Sequence, residues 1–313
     1  MGVWHFMSLG ESPGAITSAL AYIKRRLEQD DKAFFGSDSG RHKVKKVSGI
    51  VIFTTPEVRH RKLLARDKKY VDNPYGSDKG QEYSLGDTTG NLITFEVVRR
   101  FIANEFRAML QEERGKVYWL KASYHDLDFN LRQLVRAFCV LSPPGETGRE
   151  IWINLTGGSN VMNLATLLIT VMSGITGRAY YNYTRDIRLL RPARETDFWY
   201  DIPVLKLNFD RDYETILQIL FEQGDWMESD ALFNQVKQRR WQFRATRETF
   251  APDYLNKLDG WLIEREGGRN RLLRPAGEQF LDLVKDDLIR ALVYKEPLPE
   301  PLLPTEVFEE VSL

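Results

Sequence analysis

The sequence of 313 residues predicts an α/β protein with a Rossmann-like, mostly parallel sheet, followed by a smaller and mainly helical domain. Three observations lead to this fold class. Short apolar, β-branched runs alternate with segments of helical periodicity, which is typical of a parallel sheet covered on both faces. This alternation stops near residue 208. The chain is also longer than one typical compact domain.

The first predicted domain covers residues 1–208. Periodicity and β-branched content predict strands at 3–9, 47–55, 116–123, 150–155 and 178–184. The same analysis predicts helices at 15–28, 92–113, 127–141 and 160–173. "IRLLRP" and "FWYDIP" are expected to add a terminal hairpin. The polar segment 66–91 is expected to form a surface insertion.

The second predicted domain covers residues 209–295. Its pattern gives helices at 212–223, from Ser229 to Arg239 and from Pro252 to Leu258, then a hairpin around Gly267-Gly268 and a last helix in "PAGEQFLDLVKDDLIRALV". This order of elements is typical of a winged helix-turn-helix. The Pro/Glu-rich tail, 296–313, is expected to be extended.

Composition narrows the classes of function. Lys+Arg and Asp+Glu are equal at 44 each, so a nucleic-acid site would have to be a local patch. The single cysteine, Cys139, fits a reducing compartment. A signal peptide is not indicated and the longest apolar run is too short to span a bilayer, so we expect a soluble, cytoplasmic protein without a membrane partner. The histidines and the cysteine lack metal-ligand spacing, and we expect neither a metal nor a cofactor.

The turn "NLTGGSN", residues 154–160, is the most informative stretch. A strand that ends in a Gly-rich turn and opens a helix suits a phosphate, because the backbone N–H groups and the helix dipole face the ligand. In a parallel sheet such ligands bind past the carboxyl ends of the strands. The predicted ligand-binding set therefore takes in several strand ends: Leu9, Gly10, Glu11, Ser12, Pro13, Thr54, Thr55, Asn154, Thr156, Gly157, Gly158, Ser159, Asn160 and Asn163. A plain tight turn between strand and helix is the alternative.

Neither a hydrolase nucleophile nor a dinucleotide-binding site fits the residues at the first two strand ends. "GESPG" matches the G-x-S-x-G nucleophile elbow, but the residue after the serine must lend its N–H to the oxyanion hole, and Pro13 has none. Pro13 is better explained as the first helical residue behind a Ser12 cap. A dinucleotide site lacks both G-x-G-x-x-G and an acidic residue after the second strand, where Thr54 and Thr55 stand.

"NLTGGSN" resembles the N-[LI]-T-G-G-[ST]-K motif of CRISPR-associated Rossmann-fold (CARF) domains. "SLGESPG" at 8–14 and "IVIFTTPEVR" at 50–59 resemble the first two strand ends of the same family, and a winged helix is its common companion. The resemblance implies a homodimer that binds cyclic tetra- or hexa-adenylate, a second messenger of type III CRISPR immunity, across the two-fold axis. It further implies that the winged helix relays the signal.

One departure from the family motif leaves two alternatives open. Asn160 stands where the family has Lys and can donate a hydrogen bond but brings no charge, so binding alone is the first hypothesis. Cleavage of the ring by a ribose 2′-hydroxyl, with Ser12 and Asn160 as catalytic candidates, is the alternative, because in-line positioning alone supplies a large part of the rate. Arg59, His60 or Arg185 could supply the missing charge.

A DNA-binding transcription regulator is the third hypothesis. Its candidate contacts lie in "QVKQRRWQFRATR" and are Lys237, Arg239, Arg240, Arg244 and Arg247. Trp226, Trp241 and Trp261 are expected in the core rather than as stacking platforms for bases.

Overall fold

The computed structural model describes residues 2–31, 34, 46–60, 93–143, 150–182, 199–203, 210–298 and 300–313, and the backbone of two short strands, β3 (Tyr70–Asn73) and β4 (Gln81–Tyr83). The chain forms two compact units. Unit 1 contains Met1–Lys206 with Pro299–Leu313, and unit 2 contains Leu207–Leu298. The predicted domain boundary at 208, the "IRLLRP" part of the predicted hairpin and most of the predicted insertion lie outside the described residues.

A seven-stranded sheet forms the centre of unit 1 and confirms the predicted Rossmann-like α/β class. Its strand order is β12-β5-β2-β1-β6-β7-β8. The five inner strands are parallel, and β8 and β12 pair antiparallel at the two edges. The strands are β1 (Val3–Ser8), β2 (Val47–Thr54), β5 (Lys116–Lys121), β6 (Glu150–Asn154), β7 (Thr176–Asn182), β8 (Trp199–Ile202) and β12 (Glu309–Glu310).

The order of the strands reverses at β1. The chain passes from β1 to β2 on one side, and later returns to place β6 on the other side of β1. Open α/β sheets bind ligands beyond the carboxyl ends of the strands at such a switch point, because the loops there diverge and leave a crevice. The strand order alone therefore predicts a ligand site at the loops that follow β1 and β6.

Helices lie between the strands of this sheet along the chain. They are α1 (Gly14–Glu28), α2 (Pro56–His60), α3 (Thr94–Glu105), α4 (Arg107–Glu112), α5 (Leu127–Leu141), α6 (Asn160–Ser173) and α13 (Pro304–Val307).

Two helix boundaries in unit 1 differ from the predictions. The predicted helix 92–113 is broken at Phe106, whose backbone leaves helical geometry (φ −121°, ψ −7°) while its ring is fully buried. Ser12 is not the cap of α1, because the helix begins at Gly14 and Pro13 takes the N-cap position without a side-chain hydrogen bond.

The predicted extended tail instead adds the edge strand β12 to unit 1. The Phe308 ring stacks on Tyr118 with ring centres 4.7 Å apart, and the Val311 N–H donates to the Val117 carbonyl at 2.8 Å. Glu309 pairs with the Arg59 guanidinium. The proline-rich composition of the tail indicated extension, whereas the buried Phe308 and Val311 side chains dock its end on the sheet.

Unit 2 consists of helices and a three-stranded antiparallel sheet of order β10-β11-β9. In chain order its elements are α7 (Arg211–Gln223), β9 (Met227–Glu228), α8 (Ser229–Arg239), α9 (Arg247–Phe250), a π-helical turn (Ala251–Leu255), α10 (Asn256–Leu258), β10 (Ile263–Glu266), β11 (Arg269–Leu272), α11 (Ala276–Leu283) and α12 (Asp287–Tyr294). The predicted last helix is divided because the Asp286 side chain accepts from Leu288 N–H at 3.0 Å and starts α12. Assignment of unit 2 to the winged helices stays a prediction.

Within the described ranges, every helix is too short or too polar to cross a membrane.

A buried histidine lies at the centre of the sheet. His5 of β1 is fully enclosed, contacts the Trp152 ring edge-on at 5.5 Å, and its Nδ1 has no hydrogen-bond partner in the described part of the chain. Burial, helped by the nearby charge of Arg178, lowers the pKa of His5 to about 3. The folded protein thus keeps this imidazole neutral at any physiological pH.

We predict that His5 makes the fold acid-sensitive. The unfolded chain takes up a proton near the ordinary pKa of 6.5, whereas the folded chain resists it down to about 3. The free energy of unfolding should therefore fall as the pH drops below 6.5, by about 1.4 kcal/mol per pH unit from this group. Urea denaturation between pH 7 and pH 5 should show a weaker pH dependence for His5→Gln than for wild type. The exposed control His60→Gln should keep the wild-type slope, and equal slopes in all three proteins would contradict the prediction.

Candidate functional site

A cleft of about 680 Å³ lies over the carboxyl ends of β5, β2, β1 and β6. The loops that line it are 9–11 after β1, 55–58 after β2, 121–126 after β5, and 158–159 after β6. Its size is ordinary for a small-molecule site, and it includes the point where the strand order reverses.

The two glycines of "NLTGGSN" fit a backbone-to-backbone contact beside this cleft. A Cβ atom on Gly157 would lie 2.1 Å from the carbonyl oxygen of Ser8, at the end of β1. Gly158 has φ +81°, which disfavours any side chain, and its nitrogen would be 3.2 Å from a Cβ on Gly10. The turn after β6 therefore packs directly on the end of β1 and the loop that follows it, which only glycine allows.

The start of α6 lies at the rim of the cleft. The Ser159 hydroxyl accepts from Met162 N–H at 3.2 Å, which caps α6, and it donates to the Tyr124 carbonyl at 3.4 Å. In the described part of the chain, the N–H groups of Gly158 and Asn160 have no hydrogen-bond acceptor. Free N–H groups at the positive end of a long helix dipole favour an anionic ligand.

Three of the predicted ligand-binding residues form hydrogen bonds with the protein's own backbone and hold the loops in place. Thr54 donates to the Leu9 carbonyl at 2.8 Å. The Asn154 amide donates to the Ala15 carbonyl at 3.0 Å and accepts from Thr156 N–H at 2.8 Å, while the Thr156 hydroxyl accepts from Asn182 N–H at 2.7 Å. Because their hydrogen bonds are made to neighbouring backbone groups, and none of the three lines the cleft, we assign them a structural role.

The cleft brings together six of the predicted residues. The lining contains Leu9, Gly10, Glu11, Thr55, Gly158 and Ser159. The other predicted residues lie outside the lining, and they are Ser12, Pro13, Thr54, Asn154, Thr156, Gly157, Asn160 and Asn163. Ser12 and Asn160, the two catalytic candidates, are both exposed.

Two of the three alternative cations, Arg59 and His60, do not line the cleft. The Arg59 guanidinium lies 3.8 Å from the centre of the Trp119 ring and pairs with Glu309. His60 is exposed and does not line the cleft. Arg185 lies outside the described residues.

Sequence reasoning missed the loop after β5. "KASYHD", residues 121–126, contributes Lys121, Ser123, Tyr124 and His125 to the lining. The predicted strand continued to Ser123, whereas β5 ends at Lys121, so the polar strand end was assigned to the strand. The position of this loop directly after a parallel strand was the feature of the sequence that could have identified it. Asn130 of α5 fixes the loop, because its amide bonds both Ser123 backbone groups at 2.8 and 2.9 Å.

The cleft carries charges of both signs. Glu11, Glu57 and Asp126 oppose Lys121 and His125 in its described lining. The Thr55 hydroxyl holds the pKa of Glu57 below its usual range, with smaller effects of its own backbone N–H, Lys121 and His125. The Asp126 carboxylate accepts from Phe129 N–H at 2.9 Å and caps α5. The groups at this cleft whose chemistry suits an anion are the backbone N–H groups at the start of α6 and Lys121.

The predicted DNA-binding window lies in unit 2, and most of its cations have local partners. Arg239 pairs with Glu222, Arg240 pairs with Asp212, Arg247 contacts Asn234, and the Lys237 ammonium lies 5.3 Å from the Phe233 ring centre. Among the described residues, Arg244 has no such partner. Local pairing lowers the positive potential available to phosphates, and DNA binding stays a prediction.

Trp241 contradicts the expectation of a core position, because 86% of it is exposed. It follows the last residue of α8, Arg239, by two positions and thus lies beyond the buried face of that helix. Trp261 is partly exposed as well, at 37%.

The parts of the chain that the structure describes contain no group of three or more His, Cys, Asp or Glu side chains suited to a metal ion.

Comparisons with known proteins give distant likenesses. No protein-family model matches the chain. An uncharacterized protein of Archaeoglobus fulgidus is 26% identical over 217 residues, which cover 65% of this chain and 62% of the relative. Among solved structures, Enterococcus italicus Csm6 bound to cyclic hexa-2′-fluoro-hexa-dAMP aligns with a TM-score of 0.37 and 12% identity, over 82% of this chain and 54% of that chain. The chain thus spans less than two thirds of the length of either protein.

We predict that Gly157 is needed for stability. The Cβ of Gly157→Ala would meet the Ser8 carbonyl at 2.1 Å, so the turn must move away from β1. Overpacking of this kind costs about 1–3 kcal/mol of the free energy of unfolding. Gly14→Ala is the control, because its Cβ would have no neighbour nearer than 3.6 Å and a helix favours Ala. Denaturant unfolding should separate the two variants, and a Gly157→Ala protein as stable as wild type would refute the packing argument.

Proposed function

We propose that unit 1 binds a cyclic oligoadenylate in the cleft over the strand ends. One observation carries the proposal. The two segments that resemble CARF strand ends, "SLGESPG" and "NLTGGSN", pack against each other through Gly10 and Gly158 at the reversal of strand order, and both line the cleft. A family motif and the binding edge of the fold therefore coincide in one place.

The ligand's chemistry matches what the cleft offers. Phosphates can accept from the N–H groups of Gly158 and Asn160 and interact with the Lys121 ammonium. Tyr124 is 57% exposed in the same lining, and its ring can stack on an adenine base. The chain has no net charge, so affinity must come from this local arrangement rather than from long-range attraction.

A second copy of the chain is part of the proposal. Helix α6 has no charged residue, and it exposes Leu164 (48%) and Leu168 (36%) beside the partly exposed Val161, Val171 and Met172. Apolar residues at this spacing form one stripe along a helix, and an exposed stripe of this kind favours an interface. Because α6 begins at the rim of the cleft, pairing along it would bring two clefts together, which suits a tetra- or hexa-adenylate ring too large for one.

The proposed relay of the signal through unit 2 is supported by the path of the chain after that unit. Residues 300–313 follow unit 2 and return to unit 1, where β12 pairs with β5. The loop after β5 lines the cleft, and Arg59 at the end of α2 pairs with Glu309 of β12. A ligand that moves these cleft loops would thus act on a segment directly connected to unit 2, which we infer to be a winged helix.

We predict that charge at Asn160 controls ligand affinity. Asp in the first turn of α6 favours the helix but repels a phosphate, so Asn160→Asp should keep its stability and weaken binding about tenfold or more. Asn160→Lys should tighten binding. Gln238→Glu, an exposed change of the same charge in unit 2, is the control. Titration calorimetry with cyclic tetra- and hexa-adenylate measures both effects. Wild-type protein that binds neither ring would remove the proposal.

We predict that Leu168→Glu gives a monomer. A charge in the middle of the apolar stripe would be buried unpaired at the proposed interface. Sedimentation analysis should show wild type as a dimer and Leu168→Glu with half its mass, with unchanged circular dichroism. Leu303→Glu places the same charge on another exposed leucine and should remain dimeric. A dimeric Leu168→Glu protein would place the interface elsewhere.

A further inference from the structure

Unit 2 contains a small pocket, about 290 Å³ in volume, whose lining is rich in arginine. Helix α7 contributes residues that are three, four and seven positions apart and therefore lie on one side of the helix. The last residue of α8, the residue after it and one residue of α12 complete the lining. The described lining of this arginine pocket is Arg211, Glu214, Thr215, Gln218, Arg239, Arg240 and Arg290. Four positive charges thus surround one negative charge.

Two of the four arginines form ion pairs that are exposed to solvent. Arg239 pairs with Glu222, and their side chains are 42% and 45% exposed. Arg211 pairs with Glu296, and these side chains are 41% and 33% exposed. Exposed ion pairs contribute little to stability, because water screens both charges. An anion with several charges can therefore compete with the carboxylates for these guanidinium groups.

The other two arginines have hydrogen-bond donors to spare. The Nε atom of Arg290 is buried and has no acceptor among the described residues, and its Nη2 lies 3.6 Å from the Glu214 carboxylate. Arg240 donates from Nε to Asp212 at 3.0 Å, and within the described ranges neither of its terminal nitrogens forms a hydrogen bond. A buried donor without an acceptor destabilises the fold, so a ligand that supplies an acceptor gains affinity.

We propose that the arginine pocket binds a polyphosphate chain, supplied by a nucleoside triphosphate or by inorganic triphosphate. A guanidinium group donates two parallel hydrogen bonds to a phosphate and keeps its charge at any physiological pH. Arginines from three helices around one small volume suit adjacent phosphates, each of which carries charge. The volume lies at the lower limit of small-molecule sites, so it takes the chain and leaves a nucleoside outside. Since the pocket belongs to unit 2, this inference is independent of the ligand proposed for unit 1.

Trp241 offers a way to distinguish the two sources of the chain. It directly follows Arg240, does not line the pocket, and is 86% exposed. An exposed indole ring is a surface on which a base can stack. We therefore expect ATP to bind more tightly than inorganic triphosphate, and Trp241→Ala to remove the difference. Equal affinities in wild type would support the pocket with inorganic polyphosphate as its ligand.

The arginine pocket is separate from the parts of unit 2 that would enter a DNA groove. A helix-turn-helix reads bases with its second helix. Residues 247–272, which include α9, the π-helical turn, α10 and the hairpin β10-β11, contribute nothing to the described lining. The phosphates of a DNA strand are spread along its length, whereas this pocket concentrates arginines at one point. The lining therefore favours a small polyanion over duplex DNA.

The test is titration calorimetry of the full chain with ATP, inorganic triphosphate and AMP, in buffer without divalent cations. AMP should bind at least about tenfold more weakly than ATP, because it offers one phosphate. Arg239→Gln and Arg290→Gln should each weaken triphosphate binding about tenfold, because each removes a charged donor. Glu214→Gln should strengthen it about threefold, because it removes a negative charge from the lining. A gain of affinity cannot come from a damaged fold, so this variant keeps the test decisive if the others unfold.

Arg271→Gln is the matched control. Arg271 of β11 pairs with Glu264, their side chains are 45% and 44% exposed, and both lie outside the arginine pocket. The exposure of this pair is close to that of Arg239 and its partner. The variant should therefore bind triphosphate as wild type does.

Four outcomes decide the inference. Wild-type protein that binds neither ATP nor inorganic triphosphate overturns it, as do lining variants that all bind as wild type does. Displacement of triphosphate by cyclic hexa-adenylate would place the anion in the cleft of unit 1 and overturn it as well. Binding of a short DNA duplex that Arg290→Gln weakens, without binding of triphosphate, would make the pocket a DNA contact instead. Protein that binds triphosphate and neither cyclic adenylate removes the function proposed for unit 1 and supports this inference.

Discussion

The contact between the Gly157-Gly158 turn and the end of β1 is the constraint on which the site depends. A carbonyl oxygen of β1 occupies the space where a side chain of residue 157 would be, so the two strand ends meet backbone to backbone. This contact fixes the direction in which α6 leaves the sheet. It thereby sets the free N–H groups of Gly158 and Asn160 at the rim of the cleft. The arrangement that we propose to bind phosphate and the tight packing arrangement are here the same structure.

Polar side chains around this contact divide into two sets. Thr54, Asn154 and Thr156 are bonded to neighbouring backbone groups and hold the loops in register. Buried polar groups must be satisfied in this way, since leaving them unpaired would destabilise the fold. The residues left to meet a ligand are those of the rim and of the loop after β5. Because the hydrogen bonds of the first set fix the loops, the residues of the second set have defined positions.

Charge compensation recurs in both units. In unit 2 the arginines of the basic window pair with Glu222 and Asp212, and in unit 1 Asp126 is engaged in capping α5. The chain consequently offers an anion little long-range attraction. Recognition must depend on short-range donors and helix dipoles, whose effect falls off within a turn. The site that we propose would therefore discriminate by shape and hydrogen-bond geometry more than by charge.

The sequence by itself determined the alternating strands and helices of unit 1 and the position of the Gly-Gly turn. Periodicity and turn chemistry are local, and the buried parallel strands leave a strong apolar signal. Only the tertiary structure decided that β12 returns to the sheet, that Phe106 breaks a helix, and that the loop after β5 belongs to the site. Each of these depends on a partner distant along the chain: Tyr118 for Phe308, the buried core for Phe106, and Ser159 for Tyr124. Local patterns cannot specify which distant strand ends become neighbours, because strand order is set by the packing of the whole sheet.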